Sequence, residues 1–505
     1  MKDKISININ KKNKKLRILK HSDNYLDDRL VFIAIIGNIY NLEKKKLKLH
    51  EVKELYYKYK TKINNYLDGI YSIIVYDYKE EKVYVFQDYF GSNHQIYYYD
   101  SEEKIYISNE LKEIILHNNI NWELNNKSVK NIINKGYISD NKTLVKDIYK
   151  VEAKKHLEID LKKYKIYEQK EKLIINNKYE NITKDIYNDE VAEIIKSITK
   201  NTNNISTILS SGYDSNYILY TLNKIYKKKI DTFSVGGKTG KSEIESAKKI
   251  SNYYDNVNFN YEYVDGDTLN NYPEIVWILE GSLYENGIFL QYELSKMINK
   301  KKKDNIILGE CADQTLRYEM YHKNYLLYRR TRNRISSIVK KIIHKPIYQM
   351  IIADPYEFAS SLIIKKNGMM MNYFNINTNY PYTRKSFLEL GLKTAKKKDI
   401  KKKYHKEVIK YFLPKKITKN LNKIGGSTEL KPLFTGDIKF NEIKEYCKNS
   451  KYYKVKKFKN NEQEKEYYLK ILYIELFNKM FLENEIQKIT NSNFKKYKLK
   501  YFLDK

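Results

Sequence analysis

The chain has 505 residues, enough for two or three full-sized cores, and no run reaches the ~18 apolar residues of a membrane span, so no membrane-spanning helix is expected and a cytoplasmic location is. Its net charge of +33 is nearly all Lys, spread with Asn, Ile and Tyr along the chain, while Arg, the residue that bidentate phosphate recognition prefers, is scarce; a nucleic-acid partner is not expected. Cys311 and Cys447 are the only cysteines and the eight His show no metal-ligand spacing, which excludes a disulfide framework and a zinc cage.

From Arg29 to about Ile115 the pattern is short strands and tight turns. Val31 to Ile36 predicts a strand, and Gly37-Asn38-Ile39-Tyr40-Asn41 a turn. Ile70 to Tyr76 and Lys82 to Phe86 bracket a charged turn, as do Gln95 to Tyr99 and Lys104 to Ile107, predicting two antiparallel hairpins. Ile148 to Ile159 is expected to continue this sheet. Asn176 to Asn188 reads as the linker to a second unit, giving domains at 1–175 and 176–505.

From Ile205 the rhythm becomes strand, helix, strand, which predicts a parallel sheet with ligands at the carboxyl ends of its strands. The apolar run Ile205 to Leu209 feeds the loop Ser210-Ser211-Gly212-Tyr213-Asp214-Ser215 and then a helical segment with Ile218, Leu219, Leu222 and Ile225 at helical spacing. Such a loop aims backbone N–H groups and a helix N-terminus at one point, where an anion is stabilised. Gly212 lets the backbone approach a ligand, the serine hydroxyls add donors, and Asp214 suits a Mg2+ between phosphates. The Gly-Lys-Ser/Thr ending of a Walker A loop is absent. Farther on, Tyr321 to Ile352 predicts a helix pair carrying Arg329, Arg330, Arg332 and Arg334, either a solvated face or a docking surface for an acidic partner such as a peptide.

The Ser210 loop resembles the Ser-Gly-Gly-x-Asp-Ser loop of the PP-loop ATP pyrophosphatases, with Ser211 in place of the first Gly. The order of the earlier pieces, Gly37 to Asn41, Asp68-Gly69-Ile70 to Asp77, Gln87-Asp88-Tyr89-Phe90-Gly91 and Ser108-Asn109-Glu110-Leu111-Lys112, resembles the class II glutamine amidotransferase domain of asparagine synthetases. The later half continues the likeness through Asp231 to Gly236, Ser242-Glu243 to Lys248, Glu280 with Gln291-Tyr292, and Leu308-Gly309-Glu310-Cys311-Ala312-Asp313-Gln314. The resemblance implies a fold of mixed α/β and α+β class. An N-terminal, Ntn-hydrolase-like antiparallel β domain would be followed by a PP-loop parallel-sheet domain with a helical C-terminal part.

It also implies roles. Leu209, Ser210, Ser211, Gly212, Asp214, Ser215, Val235 and Gly309 would bind ATP and pyrophosphate, and Asp214 with Asp313 would share Mg2+, although Asp also suits a plain helix cap. Glu310 would orient or deprotonate an attacking amine, and Lys423, beside Gly425-Gly426, would stabilise the developing phosphate charge. Cys311 stands where the family has Gly and Gln314 where it has Glu; Cys311 reads as a buried small hydrophobe. The family's nucleophilic Cys after the initiator Met is replaced by Lys2, and no glutamine-binding segment follows, so glutamine hydrolysis is expected to be lost. The expected activity is ATP-dependent adenylation of a carboxylate and its transfer to an amine, in a peptide or metabolite pathway like that of the lasso-peptide cyclases, with a precursor peptide as one candidate substrate. The alternatives are an ammonia-dependent asparagine synthetase and a non-catalytic binding subunit; a homodimer or a pathway partner protein is also envisaged.

Overall fold

The computed structural model describes residues 4–21, 24–91, 93–118, 120–171, 181–200, 202, 204–237, 243–316, 359–394, 402–421, 430–483 and 497–504. Strands β1 (Ser6–Asn10), β2 (Leu16–Lys20), β7 (Tyr97–Asp100), β8 (Lys104–Ser108) and β9 (Ile148–Lys150) form one antiparallel sheet, in the order β2-β1-β8-β7-β9. A second antiparallel sheet runs β11 (Lys165–Lys170), β10 (Lys155–Asp160), β6 (Lys82–Gln87), β5 (Leu67–Asp77), β4 (Val31–Asn41), β3 (Tyr25–Asp27).

The nearly unbroken apolar runs of β4 and β5 follow from burial on both faces. Phe32, Ala34, Ile36 and Ile74 point inward and meet Ile7, Tyr98 and Ile107 of the facing sheet. The alternate residues Ile33, Ile35, Ile73 and Val75 lie beneath Val52 and Tyr56 of the helix Leu49–Tyr59.

Two expectations for this half change. The segment Gly37 to Asn41 is not a turn: β4 continues through it, and its pairing with β5 runs on from Gly37↔Tyr71 to Asn41↔Leu67. The glycine signal instead marks a close approach. Gly37 has φ +89, and a Cβ there would sit 2.3 Å from the Ile70 carbonyl oxygen and 2.6 Å from the His94 imidazole. The stretch Ile148 to Ile159 also divides, β9 joining the first sheet and β10 the second.

The third sheet, entirely parallel, is ordered β14 (Val257–Val264), β13 (Ile230–Gly237), β12 (Ile205–Ile208), β15 (Asn305–Ile307), β16 (Asn377–Asn379). Helix Tyr213–Ile225 buries Ile218, Leu219 and Leu222 against it, and helix Ile244–Ser251 buries Ala247 and Ile250. Helices dominate the rest, including Tyr272–Leu279 and Asn461–Phe477. This is the fold class predicted. No described helix is long and apolar enough to cross a membrane.

The two halves share cores. Tyr97, Ile114 and Ile148 of the antiparallel half pack in one apolar cluster with Tyr272, Trp277 and Tyr473 of the second. Buried Glu280 accepts the backbone N–H groups of Leu111 (2.9 Å) and Lys112 (3.3 Å) and the Lys112 ammonium (2.9 Å), so a carboxylate of one half satisfies the first orphan donors of a helix in the other.

Candidate functional site

Strand β12 ends at Ile208, and the chain then crosses the carboxyl edge of the parallel sheet before helix Tyr213–Ile225 begins. The Leu209 N–H donates to the Phe233 carbonyl (3.0 Å) and the Ser234 hydroxyl to the Leu209 carbonyl, fixing the exit from the strand. The loop is braced by its own side chains. The Ser210 and Ser215 hydroxyls lie 2.9 Å apart, the Gly212 N–H donates to Ser210 Oγ (3.1 Å), and the buried Asn216 amide donates to the carbonyls of Ser210 (2.8 Å) and Gly212 (2.7 Å).

Gly212 caps the helix at φ −81, an ordinary extended value. Gly212 therefore takes no left-handed conformation here and matters for space: a Cβ would lie 3.2 Å from Ser210 Oγ. Ser211 is fully buried rather than presented as a donor on the surface of the loop.

After β15, Leu308 donates its N–H to the Asn379 carbonyl (2.9 Å), which keeps the next residues in line with the sheet. Gly309 then lies against the start of helix Tyr213–Ile225; a Cβ there would meet the Ser215 nitrogen at 3.0 Å and the Asp214 carbonyl carbon at 3.1 Å. Cys311 is buried with φ +71, a left-handed conformation that accounts for the family's Gly at this place. Burial first, then the charges of Glu310 and Asp313, push its thiol well above the usual range, which makes it a poor nucleophile. Asp313 follows in the first turn of Ala312–Leu316, with Gln314 buried beside it.

The parallel sheet thus brings Ser210 to Ser215, Gly309, Glu310 and Asp313 to one edge, with Val235 on the adjoining strand β13. Lys423 and Arg329 to Arg334 lie outside the described residues, as does Lys2.

Four further residues complete the arrangement. Lys402, only 4% exposed, donates to both oxygens of Asp214 (2.8 and 2.7 Å) and reaches Asp313 Oδ1 at 2.8 Å. His405 Nε2 lies 3.0 Å from Asp214 Oδ1, and its Nδ1 lies 2.7 Å from the Tyr187 hydroxyl. The carboxylate only accepts, so Nε2 carries the proton and Tyr187 donates to Nδ1. Tyr382 adds a bond from its hydroxyl to the Asp214 carbonyl (3.1 Å).

Burial alone would raise the Asp214 pKa, but the Lys402 ammonium and then His405 hold it well below the carboxylate range. Burial pushes His405 below its ordinary value despite the pull of Asp214, so the ring is neutral. Lys402 and His405 sit in a Lys-rich stretch with no distinguishing spacing, and sequence reasoning did not find them. The faint signal is a lone His among lysines at Lys402-Lys403-Tyr404-His405.

Two half-buried carboxylates converging on one cation suit a hard divalent ion, which prefers oxygen donors. Asp214 and Asp313 therefore fit Mg2+ chemically, with Lys402 holding that position in this structure. Among the described residues no three His, Cys, Asp or Glu side chains cluster as a metal cage, so any Mg2+ here would draw further oxygens from phosphate or water.

The fold defines a parallel α/β half whose strand ends carry a serine-rich loop and two carboxylates, beside an antiparallel double-sheet half. Residues 187–473 match the Asparagine synthase family and residues 24–170 the Glutamine amidotransferase domain family. The first of these matches spans more than half of the chain, and the chain belongs to the asparagine synthase family. A Methanocaldococcus jannaschii protein named "Putative asparagine synthetase 2 (glutamine-hydrolyzing)" is 25% identical over 330 residues, which cover 60% of this chain and 62% of that protein. The U34-tRNA thiolase NcsA from Methanococcus maripaludis, solved with its 4Fe-4S cluster, is 17% identical, covering 52% of this chain and 83% of its own, with a TM-score of 0.25.

Proposed function

We propose that the chain is an ATP-dependent, amide-forming ligase that adenylates a carboxylate and passes it to an amine without hydrolysing glutamine. One observation carries this reading. In a member of the asparagine synthase family, the Ser210 loop, Gly309 and the paired carboxylates Asp214 and Asp313 meet at the carboxyl edge of the parallel sheet.

In the first step a carboxylate oxygen attacks the α-phosphorus of ATP, and the bond to pyrophosphate breaks. The loop between Ser210 and Ser215 grips the departing phosphates with backbone N–H groups, and Lys402 supplies a positive charge within reach of them. Asp214 and Asp313 would hold Mg2+, which neutralises triphosphate charge when bound. In the second step the amine attacks the acyl carbon and AMP leaves. Glu310 accepts the amine's proton, and Lys423 is retained as a proposed contact to the phosphates. The unit boundary near residue 175 belongs to the same proposal.

The name of the Methanocaldococcus jannaschii relative includes glutamine hydrolysis. Here the amidotransferase-like match, residues 24–170, contains no cysteine, and Cys311 and Cys447 are buried in the second half. The amine is accordingly ammonia or an amine on a second substrate, which leaves a macrolactam-forming role on a peptide and ammonia-dependent asparagine synthesis as the two forms of the proposal.

Pyrophosphate release by the purified protein with ATP and Mg2+ tests it, with aspartate plus ammonium, aspartate plus glutamine, and a peptide bearing an acidic side chain. Asp214→Asn is expected to lower release by about 100-fold or more. Undiminished release by that variant refutes the site, and release that requires glutamine refutes the loss of glutaminase.

A further inference from the structure

Three of the deeply buried lysines rest on carboxylates: Lys112 on Glu280 and Glu110, Lys402 on Asp214 and Asp313, and Lys470 on Glu466. Lys365 does not. It opens the helix Lys365–Tyr373, is 3% exposed, and donates to the neutral Gln95 Oε1 at 3.1 Å; among the described residues no carboxylate forms an ion pair with it. Its ammonium also lies 5.7 Å from the Tyr97 ring centre, too little to replace a counter-ion.

Lys365 faces a cavity of about 150 Å3 between the antiparallel half and the second half. Lys150, Lys154, Ser139, Ser360 and Ser361 line it too, and Asp140 and Glu152 are its acidic members. Lys150, 7% exposed, donates to the Ile138 carbonyl at 2.7 Å and shares with Lys365 the lining of a second, smaller void beside Tyr97 and Ser282. None of these residues belongs to the Asp214 edge.

An unpaired buried ammonium is costly, and folds retain one where something compensates it. Burial, and then the charge of Lys150, drives the Lys365 pKa well below its ordinary value and outweighs the opposing pull of Glu280, which also lines the smaller void, so without a closer counter-ion the amine is neutral. A bound anion reverses that balance. The hydroxyls of Ser360 and Ser361 supply the neutral donors that oxyanion recognition combines with cations.

We propose that this cavity binds a small oxyanion, a carboxylate or a phosphate, between Lys150 and Lys365. The site stands whether or not the adenylating activity does.

Calorimetric titration of the full chain with inorganic phosphate and, separately, with aspartate, at matched ionic strength, tests it. Saturable binding of at least one is expected, and the pair of titrations separates the phosphate source from the carboxylate source. Lys365→Met is expected to bind about tenfold or more weakly and to melt no lower than the wild type, since the amine it removes is already neutral when no anion is bound. Ser361→Ala, a change at a half-buried hydroxyl that keeps the lysine, is expected to weaken binding with the melting temperature unchanged. Absence of saturable binding to both anions overturns the proposal, and so does undiminished affinity in both variants.

Discussion

Lys402 places its ammonium 2.8 and 2.7 Å from the two oxygens of Asp214, the residue expected to hold a divalent ion, and so sits where that ion would go. The same nitrogen reaches Asp313. Removing it leaves two largely buried carboxylates facing one another. Lys402→Met is therefore expected to destabilise the ligand-free protein by about 3–5 kcal/mol, the usual consequence of breaking a buried pair on one side. Mn2+ or Mg2+ should restore much of that loss, with a larger rise in melting temperature than in the wild type. Thermal melts with and without metal check this, and a variant whose melting ignores metal excludes Asp214 and Asp313 as its ligands.

The same site predicts a pH dependence. His405 titrates below its ordinary value in the folded protein, so between that depressed value and about 6.5 the unfolded chain binds the extra proton. Stability then rises with pH across this window and falls on acidification below about 6.5. The depressed Asp214 has the same sign at lower pH: its contribution is complete above the ordinary carboxylate value and is lost as pH falls through the folded one. Asp88, raised to about 6 by burial against the bonds it accepts from Gly91, Phe90 and Tyr71, acts oppositely and weakens the fold as pH rises toward 6. The difference between wild type and His405→Gln isolates the histidine. Denaturant unfolding from pH 5 to 7 should show a gap between the two proteins that widens with pH.

Gly309 separates space from strain. Its neighbours are backbone atoms of Asp214 and Ser215, which cannot rotate away from a new methyl group. Gly309→Ala should displace the start of helix Tyr213–Ile225 and raise the KM for ATP about 10- to 100-fold while the protein stays folded. An unchanged KM for ATP would separate this helix start from the phosphate site.

The loop between Ser210 and Ser215, with Gly309 and Asp313, was legible in the sequence because each depends on local chain geometry: a strand that ends, a residue without Cβ, a carboxylate in a first helical turn. Lys402, His405 and Tyr187 were not. Lys402 and His405 reach Asp214, and Tyr187 reaches His405, through tertiary packing, 188 residues away for Lys402, and nothing local distinguishes that lysine from its neighbours. The hairpins around β5 and β8 followed from alternation and charged turns, whereas β4 outran its predicted end. Its glycine served the close approach of His94, a contact from a distant loop that no pattern within the strand encodes.

Arg384 and Asp68 tie the second half to the antiparallel half. The guanidinium Nε donates to Asp68 Oδ2 at 2.7 Å, the Lys385 N–H donates to Oδ1 at 3.1 Å, and the guanidinium carbon stacks 4.1 Å from the Tyr40 ring centre. Both charged side chains are buried, 3% and 6% exposed, so solvent cannot compensate either one alone. Arg384→Met strands the Asp68 carboxylate and should cost about 3–5 kcal/mol, whereas Asp68→Asn combined with Arg384→Met should recover part of that loss because no uncompensated charge remains. Urea unfolding of the single and double variants measures the coupling. If the double variant is as unstable as the sum of the two single changes, the pair contributes no coupling and the contact between the halves rests on the apolar cluster around Tyr272 and Tyr473.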